Sequence, residues 1–442
     1  MKNIALIVLT FLLIAGAHAQ VHAQGASLLA SSGIIKREQE SIALPQAARD
    51  RLVEIRRNPS TRTAIAAFID TRAFSSTIVA IQMPDGMRLS LRRTKEEHHT
   101  DGSITWFGDI DAGGKAVVTV QGTQIYGSLQ TPSHRYIIRS LSDSLHAFIE
   151  INPSGFQPEH PPSAPAGAES ASEGGMSTTA NLVHGSTATR ATSSNAPSTL
   201  NVFIAFTPNA ERYVGNIQAA SQTAVGSLND SFLYSNINLR ARLVGITSTP
   251  KNYGNSVKAR DAAMRSNAII KARNESEADI VIIVDTIETD CGVSKQILAT
   301  PETAFASIAA DCFVGNYSLA HEIGHLLGAR HDVAHDPTPT PFRYGHGYQL
   351  HERATGDCYH DIMAYPQACA GDSRVNAWSD PKRVAFSYGS PAGRVDVHFG
   401  NEQSNTVLVL NSTGHQAAKF RSTKLSSNSP SFISKLLGVV FF

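Results

Sequence analysis

From Leu200 onward, short continuous apolar runs alternate with segments whose apolar residues recur at helical spacing. Leu200–Phe206, Ile237–Ile246 and Asp279–Ile287 are β-prone. The last contains Ile280-Val281-Ile282-Ile283-Val284, the pattern of a strand buried on both faces. Asn209 to about Tyr234 and Lys258–Ala272 carry the period of helices, and Phe305–Phe313 predicts another strand. The order strand, helix, strand, helix, strand, strand, then a histidine-rich helix implies an α/β (α+β) layered domain with a mixed, twisted sheet. Upstream the rhythm differs. A polar, helix-prone stretch covers Ile34–Arg57. Thr77–Met83, Arg88–Leu91, Ala116–Val120 and Tyr136–Arg139 are then separated by Asp85-Gly86, Asp101-Gly102 and Gly113-Gly114. Such spacing predicts a small antiparallel β-rich domain.

Composition divides the chain further. Residues from about Pro153 to Ser198 are rich in Pro, Ser, Ala, Thr and Gly and lack apolar periodicity, which reads as a linker open to nicking. Lys2, the apolar run Ile4–Ala15 and the small-x-small sites Ala17-His18-Ala19 and Val21-His22-Ala23 have the layout of a cleaved secretory signal peptide. The other reading, a membrane anchor, needs about 20 apolar residues. The expected organisation is a signal peptide over 1–23, a β-rich propeptide over 24–152, a linker over 153–197, a catalytic domain over 198–423 and a tail over 424–442. The apolar end of that tail is too short to span a bilayer. A net charge of +1 argues against a general nucleic-acid binder. In an exported chain the four cysteines favour disulfides, with three pairings open. Pairing nearest neighbours gives Cys291–Cys312 and Cys358–Cys369, and four buried thiols are the alternative.

The candidate chemistry sits in His321-Glu322-Ile323-Gly324-His325-Leu326-Leu327-Gly328-Ala329-Arg330-His331-Asp332. Positions i and i+4 of a helix lie on one face, so His321 and His325 can present two imidazoles to one ion. Glu322 can reach a water on that ion without ligating it. Gly328 can take the left-handed conformation that ends a helix, returning His331 as a third ligand and leaving a fourth position open. A bare His-Glu-x-x-His is weak as a motif; Gly328 and His331 at fixed offsets make it far more specific. The bland alternative is a helix with packed or solvated histidines.

With these residues the chain resembles the metzincin metallopeptidases, whose His-Glu-x-x-His-x-x-Gly-x-x-His motif is followed by a Met-turn. Asp361-Ile362-Met363-Ala364-Tyr365-Pro366, about 30 residues beyond His331, is similar to that turn. The resemblance implies a structural Met363 beneath the metal. Asp332 is similar to the buried structural Asp of the reprolysin-like branch. Within that branch the stretch looks like the bacterial peptidyl-Asp metalloendopeptidases. Tyr365 departs from the reprolysin pattern and resembles the tyrosine of astacins and serralysins, which implies transition-state stabilisation; packing is the other role.

The family implies one catalytic Zn2+, with His321, His325 and His331 as ligands and Glu322 as general base. It implies protein or peptide substrates bound as an extended strand, for which Phe305–Ala310 is the candidate edge. Cleavage before Asp would need a cation near S1′: Arg374, Lys382 and Arg383 lie in that region, each also readable as a surface charge. The propeptide is the expected inhibitor. No cysteine precedes Cys291, so a thiol switch in cis is excluded. Trp106-Phe107-Gly108-Asp109 is similar to the zinc-blocking motif of astacin propeptides, or a hairpin turn. His98-His99 is another possible plug, and simple steric filling a third. The competing function is a catalytically inert zinc-binding secreted module. Nothing in the sequence bears on calcium.

Overall fold

The computed structural model describes residues 26–27, 29–34, 44–160 apart from 84–87 and 112, and 196–421 apart from 353–355, 370–371 and 389–394. The signal-peptide reading, most of the linker and the tail fall outside the described residues. The chain forms two compact units, one of residues up to Phe156 with Tyr213–Thr223, the other of Gln157–Arg212 with Ala224 onward.

The first unit is built on β1 (Ala26–Ser27), β2 (Leu29–Ile34), α1 (Gln46–Arg57), β3 (Thr61–Ile69), β4 (Ile78–Gln82), β5 (Arg88–His98), β6 (Ile104–Ile110), β7 (Lys115–Gln121), β8 (Gln124–Gln130), β9 (Arg135–Ser140) and β10 (Leu145–Ile151). The strands form one sheet in the order β1-β4-β5-β6-β7-β8-β9-β10-β3-β2, antiparallel except for β1 beside β4. α1 begins at Gln46, directly after Pro45, later than the helix-prone stretch suggested. The core gathers Phe74, Ile81, Leu91, Trp106, Val118, Ile138 and Phe148. Trp106-Phe107-Gly108-Asp109 is the interior of β6 rather than a turn. Trp106 is fully buried, edge-on to Phe74, and its ring covers Gly108, where a Cβ would collide with it. Asp109 pairs with Lys115 of β7, and His98 with Glu96.

The second unit contains β11 (Ser198–Phe206), α2 (Pro208–Val214, its end passing into the first unit), α3 (Ile217–Tyr234, from Ala224), β12 (Leu239–Ser248), α4 (Ser256–Arg265), α5 (Asn267–Glu275), β13 (Ile280–Asp285), β14 (Gly292–Ser294), β15 (Phe305–Ala309), α6 (Cys312–Gly315), α7 (Ser318–Leu326), β16 (Gln349–His351), β17 (Cys358–His360), β18 (Asp372–Arg374), β19 (Asp380–Tyr388), β20 (Val395–Phe399) and α8 (Thr406–Ala417). Its main sheet runs β12-β11-β13-β15-β14, parallel except for the antiparallel β14. All six residues of β13 are buried, as a strand covered on both faces requires. Phe203, Ala205, Val281, Ile283 and Phe305 pack with Ala259, Ala263 and Ile269 of α4 and α5.

Two expectations are corrected here. The run Phe305–Phe313 is not one strand: β15 ends at Ala309, and the Asp311 side chain accepts the Cys312 N–H to open α6. The sheet edge is β14, not Phe305–Ala310, because Gly292–Ser294 pairs along the outer side of β15. Disulfides join Cys291 to Cys312 and Cys358 to Cys369.

Candidate metal centre

α7 carries His321, Glu322 and His325, and every residue of the helix is buried. One turn separates the two histidines, so both rings leave the same face. The helix stops at Leu326 because Gly328 adopts φ +106°, a left-handed conformation open to glycine, and the chain doubles back to His331. The Nε2 atoms of His321 and His331 each lie 3.1 Å from Nε2 of His325. A fourth imidazole joins them. His160 Nε2 is also 3.1 Å from His325 Nε2, and the four donor atoms lie within 4.8 Å of one another.

The tautomers decide what such a cluster can do. His321 Nδ1 donates to Ile362 O at 2.7 Å, and His325 Nδ1 donates to Ala329 O at 2.9 Å. With the proton on Nδ1, each neutral ring turns a bare Nε2 lone pair inward. Burial is the largest cause holding His321 and His331 well below the ordinary histidine pKa, with the neighbouring histidines adding to it. Neutral lone pairs facing one another repel, so a cation is what makes the arrangement favourable. Donors around a tetrahedral zinc with Zn–N of about 2.0–2.1 Å stand about 3.3 Å apart, close to the 3.1 Å that His325 Nε2 keeps to each of the other three. The residues therefore fit a small divalent ion of the kind imidazole prefers.

Glu322, next to His321 in α7, is held against β14. The Ser294 hydroxyl donates to Glu322 Oε2 at 2.7 Å. Oε1 lies beside Gly292, where a Cβ would come within 2.8 Å of it and 2.6 Å of Ser307 O. Only glycine at 292 leaves that carboxylate room. Fully buried Met363 packs its sulfur against Gly324 of α7. The loop carrying it is tied by Asp361, whose Oδ1 accepts the N–H groups of Met363 and Ala364 and whose Oδ2 accepts that of Ser379. Burial pushes the Asp361 carboxyl up to about 7 despite these donors. Asp332, buried, accepts the Tyr365 N–H at 3.0 Å and pairs with His335, joining the histidine turn to the Met loop.

Residues 196–379 match the model of metallo-peptidase family M12. The peptidyl-Asp metalloendopeptidase of Stenotrophomonas maltophilia strain K279a is 30% identical over 396 residues, 82% of this chain and 88% of that protein. The chain belongs to metallo-peptidase family M12. The peptidyl-Asp metalloendopeptidase of Xanthomonas campestris pathovar campestris is 29% identical over 407 residues, 86% of this chain and 91% of its own. That of Pseudomonas fragi is 47% identical over 92 residues, 20% of this chain and 58% of its own. This M12 chain is a metalloendopeptidase, and its histidine cluster suits the metal such enzymes require.

In this M12 peptidase the Tyr365 ring lies edge-on to His331 at 4.7 Å between centroids and also against His335. The three basic residues named for S1′ part ways. Lys382 is exposed, and Arg383 lies over the Tyr234 ring at 3.9 Å. Arg374 is no surface charge: only 3% of its side chain is accessible, Nη1 donates to Asn316 O at 2.8 Å and Nη2 to Ala364 O at 3.2 Å. Sequence reasoning missed Ser294, Gly292, Asn316, Glu159 and His160. The described backbone runs through His160, inside the stretch expected as linker. Its one legible signal was Gln157-Pro158-Glu159-His160-Pro161-Pro162, where prolines favour an extended backbone around an acidic residue and a histidine.

Proposed function

We propose that the protein is an exported zinc endopeptidase, made as a proenzyme, that cuts peptide chains on the N-terminal side of Asp. The observation that carries this reading is the convergence of three Nε2 lone pairs with Glu322 beside them. His321, His325 and His331 would hold the ion. Bound there, zinc would supply Lewis acidity, lowering the pKa of a water at the site to about 7 and polarising a carbonyl.

The rest of the chemistry belongs to the chain. Glu322 takes the proton of the attacking water at Oε1, while the Ser294 hydroxyl steadies Oε2 and keeps the carboxylate aimed. The same carboxyl then returns the proton to the departing amine. Tyr365, packed on His331, is the candidate hydroxyl for the developing oxyanion. The edge strand β14 is the strand along which an extended substrate adds.

Export is supported by the apolar leader and by two disulfides, which persist in oxidising compartments. No helix among the described residues is long and apolar enough to cross a membrane. The preference for Asp rests on the relatives, whose names carry it. Residues 24–152 are the proposed propeptide and 153–197 the activation segment. The test compares secreted protein with its Glu322→Gln variant. Both should bind one zinc, casein turnover should fall by about 10²–10⁴-fold in the variant, and cuts should precede Asp. Equal turnover in the two forms would sink the reading, and N-terminal sequencing of the mature form should start near Ser198.

A further inference from the structure

The edge strand of the peptidase unit is already in use. Cys291 N donates to Pro158 O at 2.7 Å and Gly292 N to Glu159 O at 3.2 Å, so residues 157–160 lie along the start of β14. This brings Glu159 to Arg374. The two side chains form an ion pair, each 3% accessible, and Asn316 Nδ2 donates to the same Glu159 oxygen at 2.9 Å. Arg374 is itself fixed by two carbonyls, one from the loop before α7 and one from the Met loop. It is a guanidinium held on two sides and turned to Glu159, the geometry suited to a carboxylate. The next residue, His160, reaches the three imidazoles with Nε2.

We infer that the Arg374–Asn316 pocket is the subsite that selects an acidic side chain, and that Glu159-His160 caps the uncleaved chain as a built-in pseudosubstrate, Glu159 in that pocket and His160 as fourth donor to the ion. The inference rests on the zinc peptidase reading and adds the residues that set its specificity and latency. An acidic side chain fits because a buried cation without a counter-charge is costly, so an apolar group in the pocket is rejected.

The polarity of the segment explains why it blocks rather than reacts. Cleavage before an acidic residue needs the carbonyl of the preceding residue at the metal. Here the preceding carbonyl, that of Pro158, is bonded to Cys291 N, and the following residue faces the histidines. An imidazole in the fourth position also excludes the water that Glu322 must deprotonate.

Two sets of measurements test this. In the zinc-loaded full chain, His160→Ala and Glu159→Gln should each speed zinc loss to a chelator by about tenfold. His160→Ala should also change the visible spectrum of the cobalt-substituted protein. Rates and spectra equal to those of the parent chain would overturn the cap. In the processed enzyme, Arg374→Gln should cut the preference for peptides with Asp after the scissile bond, over matched Ala peptides, by about 100-fold. Arg374→Lys, which keeps the charge, should retain part of it. A synthetic peptide copying residues 155–162 should inhibit, and its Glu159→Ala form should do so far more weakly. Unchanged preference in folded, zinc-replete Arg374 variants would overturn the subsite while leaving the peptidase reading intact. No casein cleavage by processed parent enzyme would overturn both.

Discussion

Gly324 sits between the two α7 histidines, and replacing it with alanine sets two effects of opposite sign against each other. In a helix interior, alanine is favoured over glycine by about 1 kcal/mol. Against this, the new Cβ would overlap the Met363 sulfur and stand 2.8 Å from Trp378 Cζ3 and 3.1 Å from its Cη2. Neither neighbour can yield freely. Met363 and Trp378 are fully buried, and the Trp378 indole donates to Ser231 Oγ at 2.9 Å while stacking on Phe232. Overpacking a tight core costs about 1–3 kcal/mol. With backbone, thioether and indole all held, the upper end applies, and the net expectation is a loss of about 2 kcal/mol.

The loss should reach the metal. His321 Nδ1 donates to Ile362 O in the same loop that carries Met363, so pushing α7 from that loop strains the bond that sets the His321 tautomer. Disturbing such a supporting contact lowers metal affinity by about 10–100-fold. Urea unfolding of Gly324→Ala with zinc bound, and competition with a chromophoric chelator, measure the two consequences. A double-mutant cycle isolates the cause: Met363→Ala in the Gly324→Ala background should restore part of the lost stability, a coupling of about 1 kcal/mol or more. If Gly324→Ala proves as stable as the parent, with zinc affinity intact, helix propensity has won and the Met363 floor is not a fixed element.

Two more perturbations probe the units separately. In the β-rich unit, His146 accepts the Ile125 N–H with Nε2, and burial pushes its pKa down from 6.5 to about 4. Between those values the unfolded chain binds a proton that the folded unit excludes, so stability falls as pH drops through this window, by up to about 3 kcal/mol. His146→Gln should remove that part of the slope, read from exchange of the Ile125 amide; identical slopes would refute the assignment. In the peptidase unit, Arg330 Nη1 donates to Asp336 at 2.6 Å with both side chains 3% accessible. Asp336→Ala should cost about 3–5 kcal/mol in urea unfolding by stranding the guanidinium, and a loss under about 1 kcal/mol counts against it.

What could be read in advance follows the range of the forces involved. His321, Glu322, His325 and Gly328 were legible because a helix fixes its own periodicity and a glycine its own turn. β13 was legible because unbroken branched residues have few alternatives. β5 was read only to Leu91, since Arg92–His98 is charged and is held as strand by its pairing with β6. The edge strand escaped for a similar reason: Gly292-Val293-Ser294 has no pattern of its own and is a strand only because β15 offers it partners. Arg374 illustrates the limit more sharply. Its place in the chain, between Cys369 and Trp378, says nothing of burial, which arises when the nearby Ala364 is joined by Asn316 and Glu159 from distant segments. A buried cation is tolerable only with a partner, so Arg374 and Glu159 had to be found together. Glu159, in a proline-rich stretch without periodicity, carries no local sign of where it goes. The chemistry of the centre is thus written locally in α7, whereas the pocket is written in contacts between segments, and its occupant Glu159 reaches it across more than 150 residues of chain.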